Sequence, residues 1–260
     1  MDLELITRTR GARPDRPALL FVHGGFHGAW CWDEHFLNWF GSQGWAAHAV
    51  SLRGHGASGG QDQIRQFSMA DYCEDVLTTI DGLGGPVVLI GHSMGGVVSQ
   101  MCMAQSDAIA GAALMASSPL RPSLGVTLRL LRAHPVSLVL GQVFQDPVRL
   151  RRAMIPFFLS PNLSQNLRQR YHDQLSLESP LALGELFSRD APAVSPGDTR
   201  PVHVIAGGDD WSIPAAEHVS LASAYNATLE TCPGWHDLML DPNWQESAAS
   251  IHRWLTQNFS

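Results

Sequence analysis

Hydrophobic positions along the chain fall into short runs separated by polar, helix-like stretches. Residues 3–9 predict an edge strand. Pro17-Ala-Leu-Leu-Phe-Val-His23 is a compact apolar run that ends in Gly24-Gly25. Runs of this kind, bounded by turn residues, predict strands buried on both faces. The Trp- and Phe-rich segment 29–40 has helical spacing and stops before Gly41 and Gly44. Ala46–Leu52 predicts the next strand. Ser68-Met-Ala-Asp71 has the spacing of a capping box, with Asp in place of Glu or Gln, and opens a helix to about Ile80. Val87–Ile90 predicts a fully buried strand that runs directly into Gly91-His-Ser-Met-Gly-Gly96 and a helix. Further strands are predicted at Ile109–Met115, Pro201–Ala206 and Ala227–Thr231, with helices at Pro214–Ala224 and Pro242–Asn258. Strands alternating with helices predict an α/β fold with a parallel sheet.

Residues 119–190 break this rhythm. They lack strand patterns and carry apolar stretches such as Leu138–Phe144 and Ile155–Leu159, cut into short helices by Pro119, Pro122, Pro135, Pro147, Pro156, Pro161 and Pro180. An apolar helical insertion between strands of a sheet reads as a cap. The domain reading is a core of 1–118 and 191–260 with a cap over 119–190.

Composition changes this picture in three ways. The 260 residues are 45% hydrophobic and 16% charged, which suits a folded chain with a large core. Seventeen basic residues against 24 acidic ones give a net charge of −7, which argues against a nucleic-acid binder. All 17 basic residues are Arg. Without Lys the chain can form neither a Walker-type phosphate loop nor a Schiff base, so pyridoxal-phosphate chemistry is excluded. Nine of the arginines lie in 119–190 beside five acids, a net +4 against −11 for the remainder.

No apolar run approaches the roughly 18 residues of a membrane span. The start, Met1-Asp-Leu-Glu-Leu-Ile-Thr-Arg8, has no basic segment followed by an apolar one. Cys31, Cys73, Cys102 and Cys232 form neither a CxxC pair nor a zinc spacing. The expectation is a cytoplasmic protein with reduced thiols and no metal or organic cofactor.

The chemistry concentrates in Gly91-His-Ser93-Met-Gly95, a G-x-S-x-G pattern between a buried strand and a helix. A Ser at such a sharp turn presents its hydroxyl at a helix N-terminus, where free N–H groups favour a developing anion. The hydroxyl needs a base. His236, in Pro233-Gly-Trp-His-Asp-Leu238, follows the last strand, where α/β sheets place their sites. The His needs an orienting carboxylate. Gly207-Gly-Asp-Asp210-Trp-Ser-Ile-Pro214 follows the penultimate strand and offers Asp209 and Asp210. Both keep the chain order Ser, Asp, His.

These residues resemble the α/β-hydrolase fold family from about residue 17 to the end. The resemblance implies a mostly parallel central sheet flanked by helices, with a helical cap insertion. In that family the acid sits in a G-x-x-D-x-x-x-P pattern, which Gly207, Asp210 and Pro214 match, so the resemblance favours Asp210. It also implies that the backbone N–H groups of Gly25 and Met94 form the oxyanion hole. His23-Gly-Gly-Phe-His-Gly-Ala-Trp-Cys-Trp32 is similar to the branch holding plant methylesterases, hydroxynitrile lyases and related bacterial esterases. In this segment His27 and Trp30 read as packing under the site, and Arg53-Gly-His-Gly56 reads as a structural loop.

The implied activity is hydrolysis of a small-molecule carboxylic ester through an acyl-enzyme. Dehalogenases and epoxide hydrolases of the family place Asp where Ser93 stands. Its hydroxynitrile lyases use a Lys, absent here, and a Thr where Gly24 stands. Its C–C hydrolases usually carry Asn where His92 stands. C–C bond hydrolysis, thioesters, lactones, amides and cofactor-free perhydrolysis remain alternatives on the same triad, and a non-catalytic receptor is the alternative of another class. The apolar cap suggests hydrophobic or aromatic substrates of small to medium size.

Overall fold

A computed structural model describes residues 1–120, 129, 132, 135–155, 158–186 and 198–259. The first half runs β1 (Leu5–Arg8), β2 (Ala18–Val22), α1 (Trp30–Asp33), α2 (Phe36–Ser42), β3 (Ala47–Val50), α3 (Met69–Leu83), β4 (Val87–His92), α4 (Met94–Met103) and β5 (Ile109–Met115). Then come α5 (Pro135–Val143), α6 (Pro147–Met154), α7 (Gln165–Gln174) and α8 (Pro180–Leu186). The chain closes with β6 (Val202–Gly207), α9 (Ala215–Tyr225), β7 (Thr228–Cys232) and α10 (Trp244–Phe259).

The seven strands form one sheet in the order β1-β3-β2-β4-β5-β6-β7. Only β1, at the edge, is antiparallel to its neighbour. Side chains alternate across the pleat. Leu19, Phe21, Val88, Ile90, Ala113, Met115 and Ile205 face one side, where they meet Trp32, Phe36 and Phe40 of the first helices and Ile251, Trp254 and Leu255 of α10. Leu20, Val22, Leu89, Ala112, Leu114 and Val204 face the other, against Tyr72, Val76, Ile80, Val98, Cys102 and Leu221 of α3, α4 and α9. Both faces are covered, which is why the central strands read as continuous apolar runs. Each fully buried Leu, Val or Phe contributes roughly 1.5–3 kcal/mol of transfer free energy.

Two local details depart from the sequence pattern. The segment 29–40 forms two helices rather than one, because His35 breaks the chain at φ −139°, ψ −53°. The cysteines are distant in sequence, yet Cys73 and Cys102 bring their Sγ atoms to 3.0 Å between α3 and α4. The capping box is complete. Ser68 Oγ accepts from Asp71 N–H at 3.2 Å, and Ser68 N–H donates to the Asp71 carboxylate at 2.8 Å, so Asp does the work of the usual Glu.

Residues of the segment between β5 and β6 pack against the segments that follow β2 and β6. Leu150, Met154, Ile155, Phe158, Leu175 and Leu183 pack with Phe26 from the loop after β2, and Trp30, Trp211 and Ile213 join them. Of the residues read as cap, Arg121, Pro122, Pro156, Arg189 and Asp190 lie outside the described residues. None of the described helices is long and apolar enough to cross a membrane.

Candidate active site

Ser93 stands between the last residue of β4 and the first of α4, with φ 51° and ψ −118°. A non-glycine residue holds positive φ only where its surroundings compel it. Here they do. Ser93 N–H donates to Met115 C=O at 2.9 Å, and Ser93 C=O accepts from Gly96 N–H at 3.0 Å and from Ser117 Oγ at 2.9 Å. Gly95 allows the turn to press against β2: a Cβ there would lie 2.3 Å from His23 C=O and 2.4 Å from Val22 C=O.

The loop after β7 delivers His236, and the loop after β6 delivers Asp210. His236 Nδ1–H donates to Asp210 Oδ2 at 2.8 Å, which leaves Nε2 as acceptor for the Ser93 hydroxyl at 3.0 Å. The other Asp210 oxygen accepts from the backbone N–H groups of Ser212 at 2.7 Å and Ile213 at 3.2 Å. Burial alone would raise the Asp210 carboxyl, but the His236 charge and these donors hold it below the usual range. Burial would lower the His236 imidazole, and Asp210 outweighs it, so the imidazole sits above its ordinary value. Asp209, the competing carboxylate, is exposed, and it is Asp210 that His236 bonds.

Gly25 and Met94 share one cavity with Ser93 and His236. Its volume is about 50 Å³, and Phe26, Met154, Phe158, Leu183, Leu186 and Ile213 give it apolar walls. The Phe158 ring stacks on the His236 ring, centroids 5.4 Å apart and planes at 29°. Of the residues singled out from the sequence for the triad and the oxyanion hole, Gly25, Ser93, Met94 and His236 line this cavity, Asp210 is bonded to His236 Nδ1, and Asp209 is not in this group.

A buried network below the site carried little sequence signal. Asp237 Oδ2 accepts from His27 Nε2 at 3.1 Å, and His92 Nε2–H donates to His236 C=O at 3.0 Å. Burial would raise the Asp237 carboxyl, yet His27, His92 and His236 bring it down to about 2. Burial keeps His92 neutral, down to about 3. Asp237 could be suspected from its place beside His236. Nothing in the apolar pattern of 119–190 marks Phe158. His92, His236 and Asp237 offer ligand atoms within 4.8 Å of one another. His236 has both ring nitrogens committed to Asp210 and Ser93, so the three are not a free donor set for a metal.

A parallel sheet with a serine at a strained strand-to-helix turn, its hydroxyl bonded to a histidine that a buried carboxylate orients, defines an α/β protein with the layout of a nucleophile elbow. The chain belongs to the alpha/beta hydrolase family, whose profile matches residues 19–249. Methyl jasmonate esterase 1 of Vitis vinifera is 36% identical over 87 residues, 32% of this chain and 32% of the relative. Putative methylesterase 15, chloroplastic, of Arabidopsis thaliana is 31% identical over 139 residues, 53% of this chain and 30% of the relative. These matches span about a third of the curated relatives' own length. Among solved structures, a thermophilic esterase from Thermogutta terrifontis superposes with a TM-score of 0.76 at 20% identity, covering 99% of this chain and 94% of the other. The enol-lactonase from Burkholderia xenovorans LB400 gives 0.76 at 19%, covering 98% and 96%. At these identities the solved structures speak for the fold alone.

Proposed function

We propose that this protein is a serine hydrolase that cleaves carboxylic esters of small to medium hydrophobic or aromatic substrates. The observation that carries the reading is the continuous bond chain Ser93–His236–Asp210 under an apolar cavity. Ser93 Oγ attacks the ester carbonyl while His236 Nε2 takes its proton. Asp210 holds the imidazole in the required tautomer and stabilises the imidazolium. The N–H groups of Gly25 and Met94 hold the tetrahedral oxyanion, an interaction typically worth about 3–4 kcal/mol per donor. His236 then protonates the leaving alcohol, and water repeats the cycle on the acyl-enzyme. Residues 119–190 act as the cap that walls the acyl or alcohol group.

The methylesterase names of the curated relatives make methyl esters of apolar acids the first substrates to try. The lyase alternative finds no support in the site: the chain lacks Lys, and the His92 ring occupies the space a side chain at Gly24 would need. The test is Ser93→Ala in a folded, monodisperse preparation. Loss of p-nitrophenyl and methyl ester turnover, together with loss of labelling by a fluorophosphonate, is expected. Turnover at the wild-type rate would refute the assignment. A strict preference for charged, polar acyl groups would refute the apolar substrate class.

A further inference from the structure

Glu178, between α7 and α8, is completely buried, and four donors converge on its carboxylate. Oε2 accepts from Phe26 N–H at 3.2 Å and from His55 Nε2–H at 3.0 Å. Oε1 accepts from the Tyr72 hydroxyl at 2.5 Å and from Ser179 N–H at 2.7 Å. Apart from Ser179, these donors come from separate parts of the core: the loop after β2, the Arg53–Gly56 loop and α3. The other His55 nitrogen, Nδ1, faces Arg53 C=O at 3.0 Å. Both ring nitrogens thus face acceptors, an arrangement only an imidazolium satisfies. Burial works against that charge, and the Glu178 carboxylate outweighs it, raising the imidazole above its ordinary value.

A buried ion pair is a poor source of stability compared with an apolar pair of the same volume. Its position points to a different purpose. Phe26 has φ 69°, a conformation that a bulky residue keeps only when held there. The N–H that Glu178 holds belongs to this residue. One residue earlier, Gly25 faces the cavity beside Ser93, and a Cβ on Gly25 would lie 3.4 Å from Glu178 Oε2. A bare carboxylate at that distance would oppose an oxyanion. The His55 charge cancels it.

We propose that Glu178, paired with His55, is a positioning residue for the oxyanion loop: it fixes the Gly25–Phe26 peptide without leaving net charge beside the reacting oxygen. Because Glu178 belongs to the segment between β5 and β6, seating that segment and setting the loop are one event. This role rests on the ester-hydrolase reading above.

The test compares Glu178→Gln and Tyr72→Phe with the wild type, using active-site titration to count competent enzyme. For Glu178→Gln, kcat for a p-nitrophenyl ester is expected to fall about 10- to 100-fold with KM within about twofold. Fluorophosphonate labelling should slow in parallel. For Tyr72→Phe, which removes one donor, a fall of about threefold in kcat at unchanged KM is expected. A purely structural role would lower the unfolding temperature and leave kcat per titrated site unchanged, and that result overturns the proposal. If Glu178→Gln does not fold, Tyr72→Phe decides by the same criterion. Wild-type enzyme inert to both fluorophosphonate and esters would instead sink the ester-hydrolase reading, and this role with it.

Discussion

Gly24 lies so close to His92 that a Cβ on it would meet Nδ1 of the imidazole at 2.7 Å and the Ser93 Cβ at 3.1 Å. The ring cannot swing aside at low cost. Its Nε2–H holds the backbone carbonyl of His236, and it is boxed in by the rings of Trp32, His27 and His236. Gly24→Ala must therefore push on the residue that fixes the base. We expect a stability loss of about 1–3 kcal/mol by chemical denaturation, as for overpacking elsewhere. We also expect kcat for a p-nitrophenyl ester to fall at least about tenfold. An alanine variant with wild-type stability and turnover would show that the ring has room to move.

The two carboxylates after β6 make a direct comparison. Asp210 is bonded to His236 Nδ1 and to two backbone amides, whereas Asp209 is exposed. Asp210→Asn offers His236 an amide and favours the wrong tautomer, so kcat should drop by about 10⁴-fold with the fold intact. Asp209→Asn should stay within about twofold of the wild type. Equal effects from the two substitutions would contradict the assignment of the acid.

The parts of this site that could be read from the sequence are those with a local or ordered signature. Ser93 is marked by glycines two residues away on either side, because the elbow is a short-range steric problem. His236 follows from its place after the last strand; the place after the penultimate strand left Asp209 and Asp210 open, and only the family resemblance favoured Asp210. The central strands were legible because both faces of the sheet are covered, so their apolar runs carry no polar interruption. What escaped depends on contacts that span the chain. Glu178 reaches Phe26 across 152 positions, and His92 reaches His236 across 144. No periodicity encodes such a pairing. The aromatic stretch 29–40 misled for another reason: its spacing is helical throughout, and only the backbone at His35 divides it.

The environment of His236 sets the acid side of the pH profile. Its imidazole is raised above the ordinary value of 6.5 by Asp210 and Asp237, against the effect of burial. A base acts only when unprotonated, so activity is present above the raised value and lost as pH falls through it. The acid limb of kcat/KM should therefore have its midpoint above 6.5. Asp210→Asn removes the larger raising charge and should move the limb of the residual activity downward. A wild-type limb below 6.5 would contradict the geometry.

Asp237, whose charge helps raise His236, also bears on stability. It is 2% exposed, and its carboxyl is brought from an ordinary 3.8 to about 2 in the folded chain. A carboxyl depressed by folding stabilises the fold above its unfolded value and loses that contribution as pH falls through the folded one. The contribution is thus complete at pH 7, begins to shrink below about pH 4 and is gone below about pH 2. Asp237→Asn should lower stability at pH 7 by about 2 kcal/mol, measured by urea unfolding. The gap to the wild type should narrow as the measurement moves from pH 4 toward pH 2, because protonation then removes from the wild type the charge that the variant already lacks. A gap independent of pH would mean that Asp237 contributes by packing and hydrogen bonding rather than as an ionised partner of His27.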